Sequence, residues 1–110
     1  MERNSFDIIC SYFKPRTYAK NEILLSEGQI CETNYFVNEG CLRFFSLNKD
    51  GTELTRYFAF PGKFGTALSS LIDQKPSFEY IESIENTVVL EISRKDFFDL
   101  VERFPAVNYL

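Results

Sequence analysis

Apolar residues recur with a helical period at both ends of this chain and with a period near two between them. Phe6, Ile9, Cys10 and Phe13 fall at i, i+3, i+4 and i+7, which predicts an amphipathic helix over 1–14, capped by Asn4 or Ser5 and stopped by Pro15. Phe97, Leu100, Val101 and Phe104 repeat that spacing and predict a second helix over 94–104, with Ser93 as its cap and the four apolar residues buried. Short apolar or alternating runs at 17–19, 23–25, 35–37, 41–47, 53–60, 78–84 and 88–92 predict strands. Alternation puts Leu42 and Phe44 on one face of their strand and Arg43 and Phe45 on the other. In the next strand it sets Leu54, Arg56 and Phe58 opposite Thr55, Tyr57 and Ala59. Gly28, Gly40, Gly51 and Gly62 punctuate these runs at near-even intervals, and Gly65 follows closely. Asp50-Gly51 is a hairpin turn and Pro61-Gly62 suits a type II turn. The small apolar stretch 66–72 reads as a short internal helix. The pattern describes a mainly β domain, about eight antiparallel strands rolled over 16–93 and flanked by helices.

Composition narrows the function. The chain has 110 residues, enough for one domain with its own core, and twelve Phe and six Tyr to fill it. Net charge is −4 and the basic residues are scattered, so the chain lacks the basic footprint of a nucleic-acid binder. There is no histidine, which argues against Ser-His-Asp or Cys-His catalysis, His-ligated metal and a His-ligated haem. Cys10, Cys31 and Cys41 are too few for a four-cysteine iron–sulfur cluster and form no CxxC pair; they read as reduced, buried thiols of a cytoplasmic protein. No apolar run approaches the length of a membrane span, and the N-terminus has no signal-peptide core. No metal or haem is expected, and no enzyme.

An ordered set of short motifs adds a resemblance. Glu27-Gly28, Tyr35-Phe36-Val37, Glu39-Gly40, Arg43, Asp50-Gly51, Phe60-Pro61-Gly62, Phe64-Gly65, Pro76 and Leu90-Glu91-Ile92-Ser93 stand in sequence across roughly 13–104. Together they resemble the cyclic-nucleotide-binding-like sensor domain of Crp–Fnr transcription regulators. The resemblance implies a double-stranded β-helix, or jelly roll, with a ligand held between the roll and a phosphate cassette. In nucleotide-binding members the cassette begins Phe-Gly-Glu and ends Pro-Arg. Its Gly opens a helix whose amides face the phosphate, its Glu accepts from the ribose, and its Arg pairs with the phosphate. By that correspondence Gly65, Thr66, Ala67, Leu68, Ser69, Lys75, Pro76, Ser77 and Phe78 form the candidate ligand site.

The chain departs from the pattern at both decisive positions: Thr66 stands where the Glu belongs and Ser77 where the Arg belongs. The stretch from Gly65 to Pro76 is also one or two residues longer. A charge-assisted hydrogen bond contributes about 1.5–3 kcal/mol, so losing two weakens binding on the order of a hundred- to ten-thousandfold. The expectation is an effector-sensing domain that keeps the roll and does not bind cyclic AMP tightly; the effector is a small anion or a nucleotide. The alternatives are a structural or dimerising roll with a vestigial pocket, and a nucleotide binder that uses Lys75 and cassette amides. Thr66, Ser69 and Ser70 read either as caps and packing residues or as the lining of an anion site. Ser77 reads as a solvated loop residue, Phe78 and Tyr80 as core, and Arg43 and Arg56 as exposed partners for Glu39 or Glu53.

The resemblance further implies a homodimer, a long helix after the last short one, and a winged helix-turn-helix that carries the DNA contact. Residues 105–110 would only begin that helix. The chain therefore reads as an excised sensor domain in preference to a natural stand-alone roll.

Overall fold

The computed structural model describes residues 3–105. Residues 106–110, where the further helix is expected, lie outside that range. The elements run α1 (Arg3–Ser11), β1 (Lys14–Tyr18), β2 (Ile23–Leu25), β3 (Thr33–Glu39), β4 (Leu42–Leu47), β5 (Glu53–Ala59), β6 (Phe64–Gly65), α2 (Leu68–Asp73), β7 (Tyr80–Ser83), β8 (Thr87–Ser93) and α3 (Arg94–Arg103). The strands form two antiparallel sheets in the orders β1-β8-β3-β6 and β2-β7-β4-β5, the antiparallel roll that the pattern predicts in the jelly-roll form that the resemblance implies. Their inner faces meet in a core that includes Val37, Leu42, Phe44, Ile81 and Val89, each with no exposed surface. A second, smaller cluster forms where Ile92 and Leu100 meet Ile9, Tyr12, Phe13, Phe97 and Phe104, which seats α3 and the end of α1 on the roll.

Local chemistry explains most boundaries. Ser93 caps α3, its hydroxyl accepting from Asp96 N at 3.1 Å. Gly28, Gly40, Gly51 and Gly62 all have φ near +90°, the left-handed conformation that a side chain resists.

The structure departs from the sequence pattern in several places. Helix α1 ends at Ser11, and Pro15 sits instead in β1, an edge strand where a missing N–H costs little. Asn4 and Ser5 lie inside α1 and do not cap it. Its apolar face is only half covered: Ile9 and Phe13 are partly buried, while Phe6 and Cys10 are exposed, so Cys10 is not the buried thiol expected. The two-residue strand β6 is too short for any alternation to reveal, and β7 begins at Tyr80, leaving Phe78 outside the sheet and 59% exposed.

One irregularity lies in the β4–β5 hairpin. Phe44 pairs with Tyr57 and Phe45 with Thr55, so Arg56 is an extra residue in β5. At such a bulge two residues oppose one, and both can point to the same face. Arg56 is accordingly turned to the inner face with Tyr57, its guanidinium 5.4 Å from the Phe44 ring centroid and 5.9 Å from that of Tyr57.

Candidate functional site

The cassette region is held to the roll at both ends. At its start, Gly65 pairs with Tyr35 in the sheet and does not open the helix. Glycine is needed there for space: a Cβ would stand 2.7 Å from Phe44 Cε1. The Thr66 hydroxyl turns back to the wall, donating to the Thr33 carbonyl at 2.8 Å with Cys31 Sγ at 3.2 Å. Ala67 is buried and gives α2 no side-chain cap. Helix α2 is six residues long, starting at Leu68, two residues later than expected.

Past α2 the chain is stapled to the β2–β3 connection. Ser70 is buried, accepting from Cys31 N at 2.8 Å and donating to the Lys75 carbonyl at 2.6 Å. Pro76 bridges to Ile30. Ser77 N donates to the Gln29 carbonyl and Gly28 N to the Ser77 carbonyl, both at 2.7 Å. Ser77 is buried and not solvated as expected; its hydroxyl donates to the Glu79 carbonyl and accepts from Glu79 N, each at 2.9 Å. Lys75 lies out in solvent beside Asp73 at 3.6 Å.

Two neighbouring clefts open between cassette and roll. One, about 230 Å³, is lined by Asn34, Arg56, Tyr57, Phe64, Gly65, Thr66 and Leu68. The other, about 330 Å³, is lined by Arg56, Leu68, Ser69, Phe78 and Glu79. Arg56 and Leu68 border both. Of the residues singled out from the sequence, Gly65, Thr66, Leu68, Ser69 and Phe78 are brought to these clefts. Ala67, Lys75, Pro76 and Ser77 are not among their lining.

The strongest charges in the site lie outside the sequence motifs. Arg56 is the only basic side chain lining either cleft among the described residues, and Glu79 holds it in a two-point grip, Nε to Oε2 at 2.6 Å and Nη2 to Oε1 at 3.0 Å. Its partner is therefore neither Glu39 nor Glu53. The Glu79 side chain is 5% exposed, that of Arg56 49%. Arg56 Nη2 also reaches the Thr66 carbonyl at 3.4 Å, so one guanidinium ties the start of the cassette to its end. Asn34, 8% exposed, is also among the residues around the smaller cleft, but its Oδ1, which has no hydrogen-bond partner, is buried and not open to it. No motif marks Asn34 or Glu79; an acidic residue just before a β7 core position is the one available signal. Among the described residues no group of three His, Cys, Asp or Glu side chains is placed to hold a metal ion.

The far side of α2 contacts α3. Arg94, the first residue of α3, donates through Nε to the Leu71 carbonyl at 2.7 Å and through Nη2 to the Ile72 carbonyl at 3.2 Å. These two bonds join the end of the cassette helix to the start of the last helix.

An antiparallel roll with a cassette helix folded over a cleft defines a class of ligand-sensing domains. The cyclic nucleotide-binding domain family model matches residues 15–104, and the chain belongs to that family. It is 30% identical over 104 residues to the cyclic AMP receptor protein of Thermus thermophilus, covering 94% of this chain and 47% of that protein. The crystal structure of the Thermus thermophilus catabolite activator protein superposes with a TM-score of 0.87 at 27% identity, over 99% of this chain and 51% of that one. The regulatory subunit of a cAMP-independent protein kinase A from Trypanosoma brucei shares the fold alone, with a TM-score of 0.80 at 13% identity over 99% of this chain and 40% of that one. The chain spans about half the length of the curated relative it matches. No described helix is long and apolar enough to cross a membrane.

Proposed function

We propose that this domain is the effector-sensing module of a cytoplasmic Crp–Fnr-type transcription regulator, a binding module and not an enzyme, and that it binds cyclic AMP weakly at most. The observation that carries the second half is the fate of the two substituted cassette positions. The Ser77 hydroxyl is engaged by the Glu79 backbone and lines neither cleft, so it offers no phosphate donor, and the Thr66 hydroxyl, turned to the Thr33 carbonyl, leaves a neutral oxygen where the family pattern has a carboxylate. Lys75, the candidate replacement charge, is beside Asp73 in solvent. Arg56 supplies positive charge on the other wall, already neutralised by Glu79.

The mechanism is a population shift. A ligand that binds one placement of α2 more tightly favours that placement, and the bonds from Arg94 to the end of α2 pass the bias to α3. In a Crp–Fnr-type regulator α3 would lead to a dimer interface and to a DNA-binding half, which would supply the basic charge this domain lacks. Calorimetric titration tests the ligand half of the reading. Cyclic AMP should dissociate at tens of micromolar or weaker, about −6 kcal/mol, and a submicromolar constant would overturn it.

A structural role is the second reading, favoured by the Arg56–Glu79 pair that stands between the two clefts. A thermal-shift screen of nucleotides and small anions separates the two. An effector at a hundred times its dissociation constant adds about 2.7 kcal/mol, whereas a vestigial pocket responds to nothing.

A further inference from the structure

We infer that Glu79 is a built-in stand-in for an effector's acidic group, and that the effector is a small organic anion taken up by Arg56. The inference rests on the effector-sensing reading above and names the chemistry of the ligand.

The Arg56–Glu79 contact is the parallel two-point arrangement in which guanidinium binds carboxylate or phosphate. An effector's acid would find the same donors there. Glu79 is nearly buried, yet Arg56 is about half exposed and faces both clefts, so an incoming anion can reach the guanidinium without unfolding anything. The Phe44 and Tyr57 rings beneath it keep the cation on station during exchange. Ser77 anchors the Glu79 backbone on both its N–H and its carbonyl, so exchange requires only the side chain to turn.

Arg56 borders both clefts, of about 230 and 330 Å³, whose linings include the apolar Leu68 and, on one side or the other, Phe64 and Phe78. Those volumes lie near or below the lower end of the range typical of pockets for drug-sized ligands, about 300–1,000 Å³, which points to a compact acid such as a small carboxylic acid or a small phosphate ester.

The test titrates the full chain and its Glu79→Gln variant with glycerol 3-phosphate, lactate and propionate, following amide chemical shifts. Glu79→Gln keeps the side chain's volume and removes the competing charge. It should bind glycerol 3-phosphate or lactate at least tenfold more tightly than the unaltered protein, and which of the two gains more separates a phosphate effector from a carboxylate one. Propionate should gain as lactate does, because Arg56 reads only the acid. Adding Arg56→Gln should abolish the gain. Equal affinities in the unaltered and Glu79→Gln proteins, or a gain that survives loss of Arg56, would each overturn the inference. Should Glu79→Gln not fold, Glu79→Asp, which withdraws the carboxylate by one methylene, should show a gain of about threefold, and no gain there counts against the inference equally. Submicromolar cyclic AMP binding by the unaltered protein would sink the functional reading and leave this contrast standing; a missing gain sinks only the contrast.

Discussion

Arg43 and Arg56 are carried by the same hairpin, each beside glutamate, and they serve different regions of the molecule. Arg43 lies on the outer face of its sheet, 4.2 Å over the Phe45 ring, bonded to Glu53 at 2.6 Å and Glu82 at 3.4 Å. It shields Phe45, which also stacks on Tyr80 at 5.1 Å, from water. Arg56 is turned inward by the bulge and meets a carboxylate that water barely touches. Arg43 is the better covered cation, its side chain 19% exposed against 49% for Arg56, but its glutamates keep more water, 51% and 20% exposed against 5% for Glu79. An acid that water reaches loses little with its partner, whereas a carboxylate withdrawn from water depends on it. The same residue types therefore make a surface brace in one place and a poised charge in the other. Which they make depends on the face that backbone register assigns.

That contrast can be broken at its base by Phe44→Ala. Phe44 is fully buried, and its ring lies under both Arg56 and Gly65. Its truncation should cost about 3–5 kcal/mol in urea unfolding, and a loss under about 1 kcal/mol would show that the inner face is not the core it is taken for. The direct comparison is Arg56→Met against Arg43→Met. Removing Arg56 strands the Glu79 carboxylate and should cost about 2 kcal/mol, less than for a wholly buried pair because Arg56 is half exposed; removing Arg43, whose two glutamates both keep more water than Glu79, should cost about 1 kcal/mol. Equal losses would erase the distinction between the two regions.

A smaller effect sharpens the cleft side alone. Ser77→Ala deletes the hydroxyl that serves both the N–H and the carbonyl of Glu79 and should cost about 1–2 kcal/mol. The smallest effect belongs to the hairpin tip. The Thr52 hydroxyl, and then the Thr52 N–H, hold the exposed Asp50 carboxyl below its usual range. A carboxyl held low stabilises the fold above its ordinary pKa and loses that contribution as pH falls through the depressed value. Asp50→Asn should thus melt slightly lower than the unaltered protein at pH 7, with the difference narrowing as pH falls below the ordinary carboxylate range; a difference that grows toward acid would reverse the sign.

Periodicity and turn chemistry alone placed α1, α3 and most strands, because a strand that buries one face must alternate and a left-handed turn strongly favours Gly. Gly28, Gly40, Gly51 and Gly62 are legible for that reason. The ordered motifs around them carried the family, and the identity of Thr66 and Ser77 carried the departure from it. The candidate site was only partly legible. Gly65, Thr66, Leu68, Ser69 and Phe78 reach the clefts, while Ser77, expected in solvent, is buried as a brace for the chain that presents Glu79.

What the tertiary structure decided is the charge of that site. Strict alternation along β5 sets Arg56 opposite Tyr57, and a single unmatched residue reverses it. A bulge is fixed by how two strands pair across the sheet and leaves no trace in the spacing of one of them. Glu79 is likewise an ordinary residue until the roll closes and brings β5 and the approach to β7 around the larger cleft. Sequence determined which faces are apolar, a local property of each segment. Only the packed roll determined which polar groups those faces enclose, because that depends on partners far away along the chain.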